Sequence, residues 1–137
     1  MKVVLDTNIW VSAIIWGGIP EEIIVLGQKQ LLSIATSQNL LSELESTLNK
    51  KKIQVKLEAL NLKISSLISL VRESVTLYPI EEFNVPQLRD PDDNIVLATA
   101  IAAQSGVIIT GDKDLLILGK HQNIRIVTAK DFLQRYF

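Results

Sequence analysis

Lys2-Val3-Val4-Leu5-Asp6-Thr7-Asn8 opens the chain with a short, β-branched apolar run that stops on an acid. Such a run suits a strand buried on both faces. Asp6, Thr7 and Asn8 are residue types that cap helices, so a helix is expected to follow, through about Trp16. A buried strand passing through a capping acid into a helix is the opening unit of a parallel α/β sheet.

The alternation continues along the chain. Gly17-Gly18 ends the first helix, and Pro20 with Glu21 and Glu22 reads as the first turn of a second. Residues 31–35 form a second strand. Thr36 or Ser37 caps a third helix with Leu40, Leu41, Leu44 and Leu48 on one face. Beyond Lys50-Lys51-Lys52, the spacing of Leu57, Leu60, Ile64, Leu67, Ile68 and Val71 predicts one long amphipathic helix to about Arg72. Residues 74–77 read as a third strand, and residues 78–90, with Pro79 and Pro86, as a long loop. Asp90-Pro91-Asp92-Asp93 opens an apolar helix to about Gln104. Residues 107–110 form a fourth strand, 111–114 a turn with a short helix behind it, and 124–127 a fifth strand; Thr128 caps a terminal helix. The pattern predicts an α/β fold with a mainly parallel five-stranded sheet covered on both faces.

Composition narrows the chemistry. A length of 137 residues suits one domain, 1–137. Hydrophobic residues are 47% and aromatic ones 5%, so the core must be aliphatic. A net charge of −1 provides no general basic field, so contact with nucleic acid would need a local patch. The absence of cysteine excludes disulfides, thiolate zinc sites and thiol nucleophiles, and the single histidine, His121, excludes a multi-histidine metal site. Asp6 interrupts the start too early for a leader peptide, and no apolar stretch approaches the roughly 18 residues of a membrane span. The expectation is a soluble, cytoplasmic protein with no membrane partner.

The acids carry the remaining interest. Ligands of open parallel sheets bind outside the carboxyl ends of the strands. Asp6 follows the first strand directly and Asp112 lies two residues beyond Thr110, so the two share a crevice if their strands are neighbours. Asp6 also reads as a simple helix cap, and Asp90 is explained as the cap before Pro91. Asp92 and Asp93 both suit a first helical turn, but Asp93 shares a face with Val96, Leu97 and Ala100, where a carboxylate needs a partner. Glu43 and Glu45 flank the leucine face of the third helix on opposite sides, and periodicity does not choose between them. Asp112 and Asp114 lie in a turn, where aspartate is common for local reasons. Clustered carboxylates raise one another's pKa, and a hard divalent cation such as Mg²⁺ or Mn²⁺ resolves that repulsion.

Four segments together resemble the PIN domain family: Val3-Val4-Leu5-Asp6-Thr7-Asn8, Leu40-Leu41-Ser42-Glu43-Leu44, Asp93-Asn94-Ile95-Val96-Leu97-Ala98-Thr99-Ala100, and Ile108-Ile109-Thr110-Gly111-Asp112-Lys113-Asp114. They occur in the family's order and span nearly the whole chain. The resemblance implies a three-layer α/β/α sandwich and Mg²⁺- or Mn²⁺-dependent cleavage of RNA. It favours Glu43 over Glu45 and Asp93 over Asp92. The implied catalytic set is Asp6, Glu43, Asp93 and Asp112, with Asp6, Asp93 and Asp112 as metal ligands, Asp114 a further candidate, and Thr7, Asn8 and Thr110 in support. Small stand-alone members are commonly VapC-like toxins of toxin–antitoxin pairs and often homodimers, so the resemblance implies a toxin with a cognate antitoxin and a homodimer.

Lys50-Lys51-Lys52, with Lys56, is the one dense basic cluster. It reads either as a solvated helix end or as a contact to an RNA backbone. Trp10 and Trp16 read as core or dimer packing rather than base-stacking groups. Two rival functions remain: a non-catalytic PIN-like module binding RNA or protein, and a phosphoacceptor receiver domain. The latter needs an Asp after the third strand, where Tyr78-Pro79-Ile80 stands instead.

Overall fold

The structure, a computed structural model, describes residues 1–81, 85–86 and 88–137. Strand β1 (Lys2–Leu5) leads through its cap Asp6 into α1 (Thr7–Trp16). Gly17 and Gly18, at φ of 69° and 66°, then bend the chain by 103° into α2 (Gly18–Gln28). Two successive left-handed residues favour glycine at both places. Next come β2 (Ser33–Thr36), α3 (Gln38–Leu48) capped by the Ser37 hydroxyl, α4 (Lys51–Ala59), α5 (Ile64–Ser74) and β3 (Thr76–Leu77). The second half holds α6 (Pro91–Ala103), β4 (Val107–Ile109), α7 (Lys113–Leu118), β5 (Lys120–His121), β6 (Ile124–Val127) and α8 (Ala129–Tyr136).

The strands form a single sheet in the order β3-β2-β1-β4-β6-β5, parallel throughout except for β5, which runs against β6. Side-chain alternation splits the apolar residues into two layers. Val3, Leu5, Ile34, Val107 and Ile109 face a core closed by α1 to α5 and α8, where Trp10, Leu44, Leu48, Leu57 and Phe132 are buried. Val4, Ala35, Ile108, Ile124 and Ile126 face the opposite core, closed by α6 and α7 with Val96, Leu97, Ala100 and Leu115. The result is the expected three-layer α/β/α sandwich. Among the described residues no single helix is long and apolar enough to cross a membrane.

Three expectations need adjustment. Among the described residues the sheet has six strands rather than five, because β5 is two residues long and too short to show a period. The long helix expected from the lysine cluster to Arg72 is two helices. It breaks at Asn61, whose φ is 58°; the Asn61 N–H donates to the Glu58 carbonyl and the Leu62 N–H to the Leu57 carbonyl. That pair of reversed bonds is a left-handed helix end, made here with asparagine in place of glycine. The same device ends α2 at Gln30 and α6 at Gln104. At the first of these it consumes Leu31, so β2 begins at Ser33 rather than at residue 31. Of the loop expected over residues 78–90, residues 82–84 and 87 lie outside the described residues. Its described part is tied down by the Val85 N–H, which donates to the Asn94 side-chain oxygen at 2.7 Å, and by buried Leu88.

A left-handed glutamine carries a steric cost that glycine does not. Gln104→Gly is therefore expected to stabilise the protein by roughly 0.5–1 kcal/mol, and Gln104→Val to destabilise it by at least as much. Urea unfolding at unchanged slope measures both; a stability loss in Gln104→Gly would contradict this account.

Candidate metal centre

The site lies where the strand order reverses. The chain runs outward from β1 through β2 to β3, then crosses by α6 to β4 on the other side of β1. Such switch points open a crevice at the carboxyl ends of the two central strands. The ladder continues one residue past each strand: the Asp6 N–H donates to the Ile109 carbonyl and the Thr110 N–H to the Val127 carbonyl, both at 3.0 Å.

Acids reach this crevice from four helices. Asp6 caps α1, accepting the Thr7 N–H on Oδ1 at 2.7 Å. Asp112 caps α7, its Oδ1 accepting the N–H groups of Asp114 at 2.8 Å and Leu115 at 3.4 Å. Asp93 lies in the first turn of α6 on the face that packs against the sheet, and is 4% exposed. Glu43 projects from α3, half-buried. Thr110 joins the two strand ends: its hydroxyl donates to Asp6 Oδ2 at 2.6 Å and accepts the Asp112 N–H at 2.9 Å.

Asp93, Asp112 and Asp114 each offer a carboxylate oxygen within 4.8 Å of the others'. Asp93 Oδ2 and Glu43 Oε2 are buried with no hydrogen-bond partner, as is the Thr7 hydroxyl. Burial pushes the Asp93 carboxyl from 3.8 to about 7, helped by the charges of Asp112, Asp90, Asp6 and Asp114. Burial likewise raises Glu43 from 4.5 to about 7, with Asp92, Asp6 and Asp90 adding to it. Thr7 pulls Glu43 slightly the other way, although no hydrogen bond of proper geometry joins the two. Asp6 is also raised by burial, against the opposing bonds from Thr110 and Thr7. Carboxyls held in this way want a proton or a cation. Three convergent oxygens, with a buried oxygen left without a donor, suit a hard divalent ion that favours oxygen ligands and retains waters.

The structure thus brings Asp6, Glu43, Asp93, Asp112 and Asp114 to one crevice, with Thr7 and Thr110 among them. The tight triad consists of Asp93, Asp112 and Asp114; Asp6, already engaged on both oxygens, borders it. Asn8 is exposed and forms no side-chain hydrogen bond among the described residues. Lys50, Lys51 and Lys52 are exposed at the start of α4, beyond the carboxyl end of α3, the helix that carries Glu43. Trp10 is buried in the core, whereas Trp16 is 72% exposed, with the Lys56 ammonium 4.3 Å from its ring centre. Sequence reasoning missed two residues here. Asn94 secures the loop before α6, and Arg89 stands 3.6 Å from Asp114. Only the position of Arg89 beside an acid-rich block hinted at the latter.

The sequence matches the PIN domain family over residues 2–114. An uncharacterized protein of Methanocaldococcus jannaschii is 32% identical, the alignment covering 99% of this chain and 92% of that protein. A chain in the crystal structure of VapBC2 from Rickettsia felis, bound to a DNA fragment from their promoter, shares the fold with a TM-score of 0.60. That match covers 92% of this chain and 97% of the other at 17% identity. The chain belongs to the PIN domain family. PIN domains are generally nucleases, hydrolases that act on nucleic acids.

The raised carboxyls give the metal-free protein a distinctive pH response. A carboxyl whose pKa is higher in the folded than in the unfolded state holds extra protons when folded, so stability falls as pH rises between the two values. For Asp93 and Glu43 that window runs from about 4 to about 7. In EDTA, thermal midpoints are expected to drop from pH 5.5 to pH 8, and Asp93→Asn to flatten the drop. A midpoint that rises across this range would refute the electrostatic description.

Proposed function

We propose that this chain is an endoribonuclease that cleaves single-stranded RNA phosphodiesters with Mg²⁺ or Mn²⁺ as cofactor, acting as one domain over residues 1–137. We infer further that it is the toxin of a toxin–antitoxin pair, held by a cognate antitoxin protein and working as a cytoplasmic homodimer. The observation that carries the nuclease reading is the Asp93–Asp112–Asp114 triad with the unpartnered, buried Asp93 Oδ2. The toxin reading draws on PIN family membership and on the fold shared with a chain of VapBC2.

In this reading Asp93, Asp112 and Asp114 hold the ion, with Asp6 bearing on the same pocket. A bound divalent ion supplies an acidified water and positive charge against the phosphate. Asp6, kept in place by Thr110 and the Thr7 N–H, fixes the edge of the pocket from β1. Glu43, with one free oxygen and a pKa near 7, accepts the proton from the attacking water. The water oxygen bonds to phosphorus in line with the departing O3′. The P–O3′ bond breaks and O3′ takes a proton from solvent, leaving a 5′-phosphate and a 3′-hydroxyl. Thr110 acts as a positioning residue, because it couples Asp6 to the turn that carries Asp112.

The purified protein is expected to cleave a labelled single-stranded RNA in Mg²⁺ or Mn²⁺ and not in EDTA. Asp6→Asn, Asp93→Asn and Asp112→Asn should each lower the rate on the order of a hundredfold or more. Cleavage that persists in EDTA, or that Asp93→Asn leaves intact, would overturn the proposal. Independently of turnover, Mg²⁺ should raise the thermal midpoint of the wild type at pH 8 and leave that of Asp93→Asn nearly unmoved.

A further inference from the structure

An acidic crevice repels the polyanion it is meant to cut. A cation on the substrate side would offset that repulsion, provided the carboxylates do not neutralise it first. Lys50 caps α4 and Lys51 and Lys52 open it, beyond the carboxyl end of α3, and among the described residues none of them pairs with the acidic cluster. Among the described residues, Arg89 is the cation that comes within ion-pair distance of the acidic cluster, its Nη2 3.6 Å from Asp114 Oδ1.

We propose that Arg89 is a substrate-binding residue that grips a phosphodiester group of the RNA at the rim of the Asp93–Asp112–Asp114 triad. This rests on the ribonuclease reading above and names the group of this chain that meets the substrate's charge. Three observations support it. The backbone is pinned on both sides of Arg89: buried Leu88 donates its N–H to the Val85 carbonyl at 2.9 Å, and Asp90 caps α6 through the Asp92 N–H at 2.9 Å. The side chain therefore leaves from a fixed point close to the helix that carries Asp93. Next, its side chain is 86% exposed, and its one ionic contact is too long for a hydrogen bond. An exposed pair of that kind contributes little to stability. The planar fork of N–H donors is therefore available, and it matches two oxygens of a phosphate. Finally, Asp114 is itself a member of the triad, so the guanidinium lies beside the oxygens where a scissile phosphate would sit. A contact of this type carries no base information, so it fits cleavage of single strands without a sequence code from this residue.

The bland role for Arg89 is neutralisation of Asp114 in the absence of an ion, and the two roles separate experimentally. Wild type, Arg89→Ala and Arg89→Lys are compared as the full chain. Binding of a short fluorescein-labelled single-stranded RNA is followed by anisotropy in Ca²⁺ across a salt series, cleavage of the same RNA in Mg²⁺, and the Mg²⁺-induced shift in thermal midpoint without RNA. Arg89→Ala is expected to weaken RNA binding about tenfold and to reduce the slope of log K against log salt by about 0.7, one phosphate contact on a single strand. Arg89→Lys should restore the slope and part of the affinity, since it keeps the charge and loses the fork. The Mg²⁺-induced midpoint shift should be the same in all three proteins. Unchanged RNA binding in Arg89→Ala overturns the proposal, as does a larger Mg²⁺ response with RNA binding intact, which is the signature of neutralisation alone. If the wild type binds RNA and never cuts it, the ribonuclease reading fails and the binding comparison still decides Arg89. If the wild type does not bind RNA, both fail.

Discussion

The pairing of β1 with β4 is the constraint on which the site depends. Val3, Val4 and Leu5 lie in register with Val107, Ile108 and Ile109, in strands more than a hundred residues apart in sequence. Once that register forms, Asp6 and the turn carrying Asp112 emerge side by side, and Thr110 closes the gap with its hydroxyl. Neither acid has to search for the other through side-chain freedom. A slip of β1 by one residue against β4 would reverse its faces and set Val4 against the core that Val3 and Leu5 now fill. The packing that holds the register therefore also holds the spacing of the acids.

Bringing these acids together opposes folding, and the surrounding structure offsets the cost in two ways. Large buried surfaces lie directly behind the site, with Val96, Leu97 and Ala100 of α6 and Ile108 and Ile109 of β4 all inaccessible to solvent. The helices themselves also help. Asp6, Asp93 and Asp112 stand at the amino-terminal ends of α1, α6 and α7, where peptide dipoles favour negative charge. The raised pKa values of Asp93 and Glu43 reflect first the burial of their carboxyls and then the charges of the neighbouring acids.

Much of this was legible beforehand, for identifiable reasons. β1, α1, β6 and the caps at Ser37, Asp90 and Thr128 carry local signals that tertiary packing did not alter. Asp93 betrayed itself as an acid on an apolar helix face. The break between α4 and α5 stayed hidden because the leucine spacing runs through it unbroken and Asn61 gives a weaker stop signal than glycine. Local sequence could not rank Asp114 against Asp112, since both are reasonable turn residues, and the family resemblance put Asp112 first; in three dimensions both lie with Asp93. Arg89 left only the hint of its place beside an acid-rich block, because its contact is with a residue twenty-five positions away.

The two outermost strands, β3 and β5, are each two residues long. An edge strand of ordinary length exposes a row of unpaired amides that can template another chain. Here each rim ends almost as soon as it starts, and on the β5 side it reverses direction as well. The sheet is thus a poor substrate for edge-to-edge growth into filaments. Among the described residues, both rims therefore offer few unpaired amides to which a strand of another chain could be added.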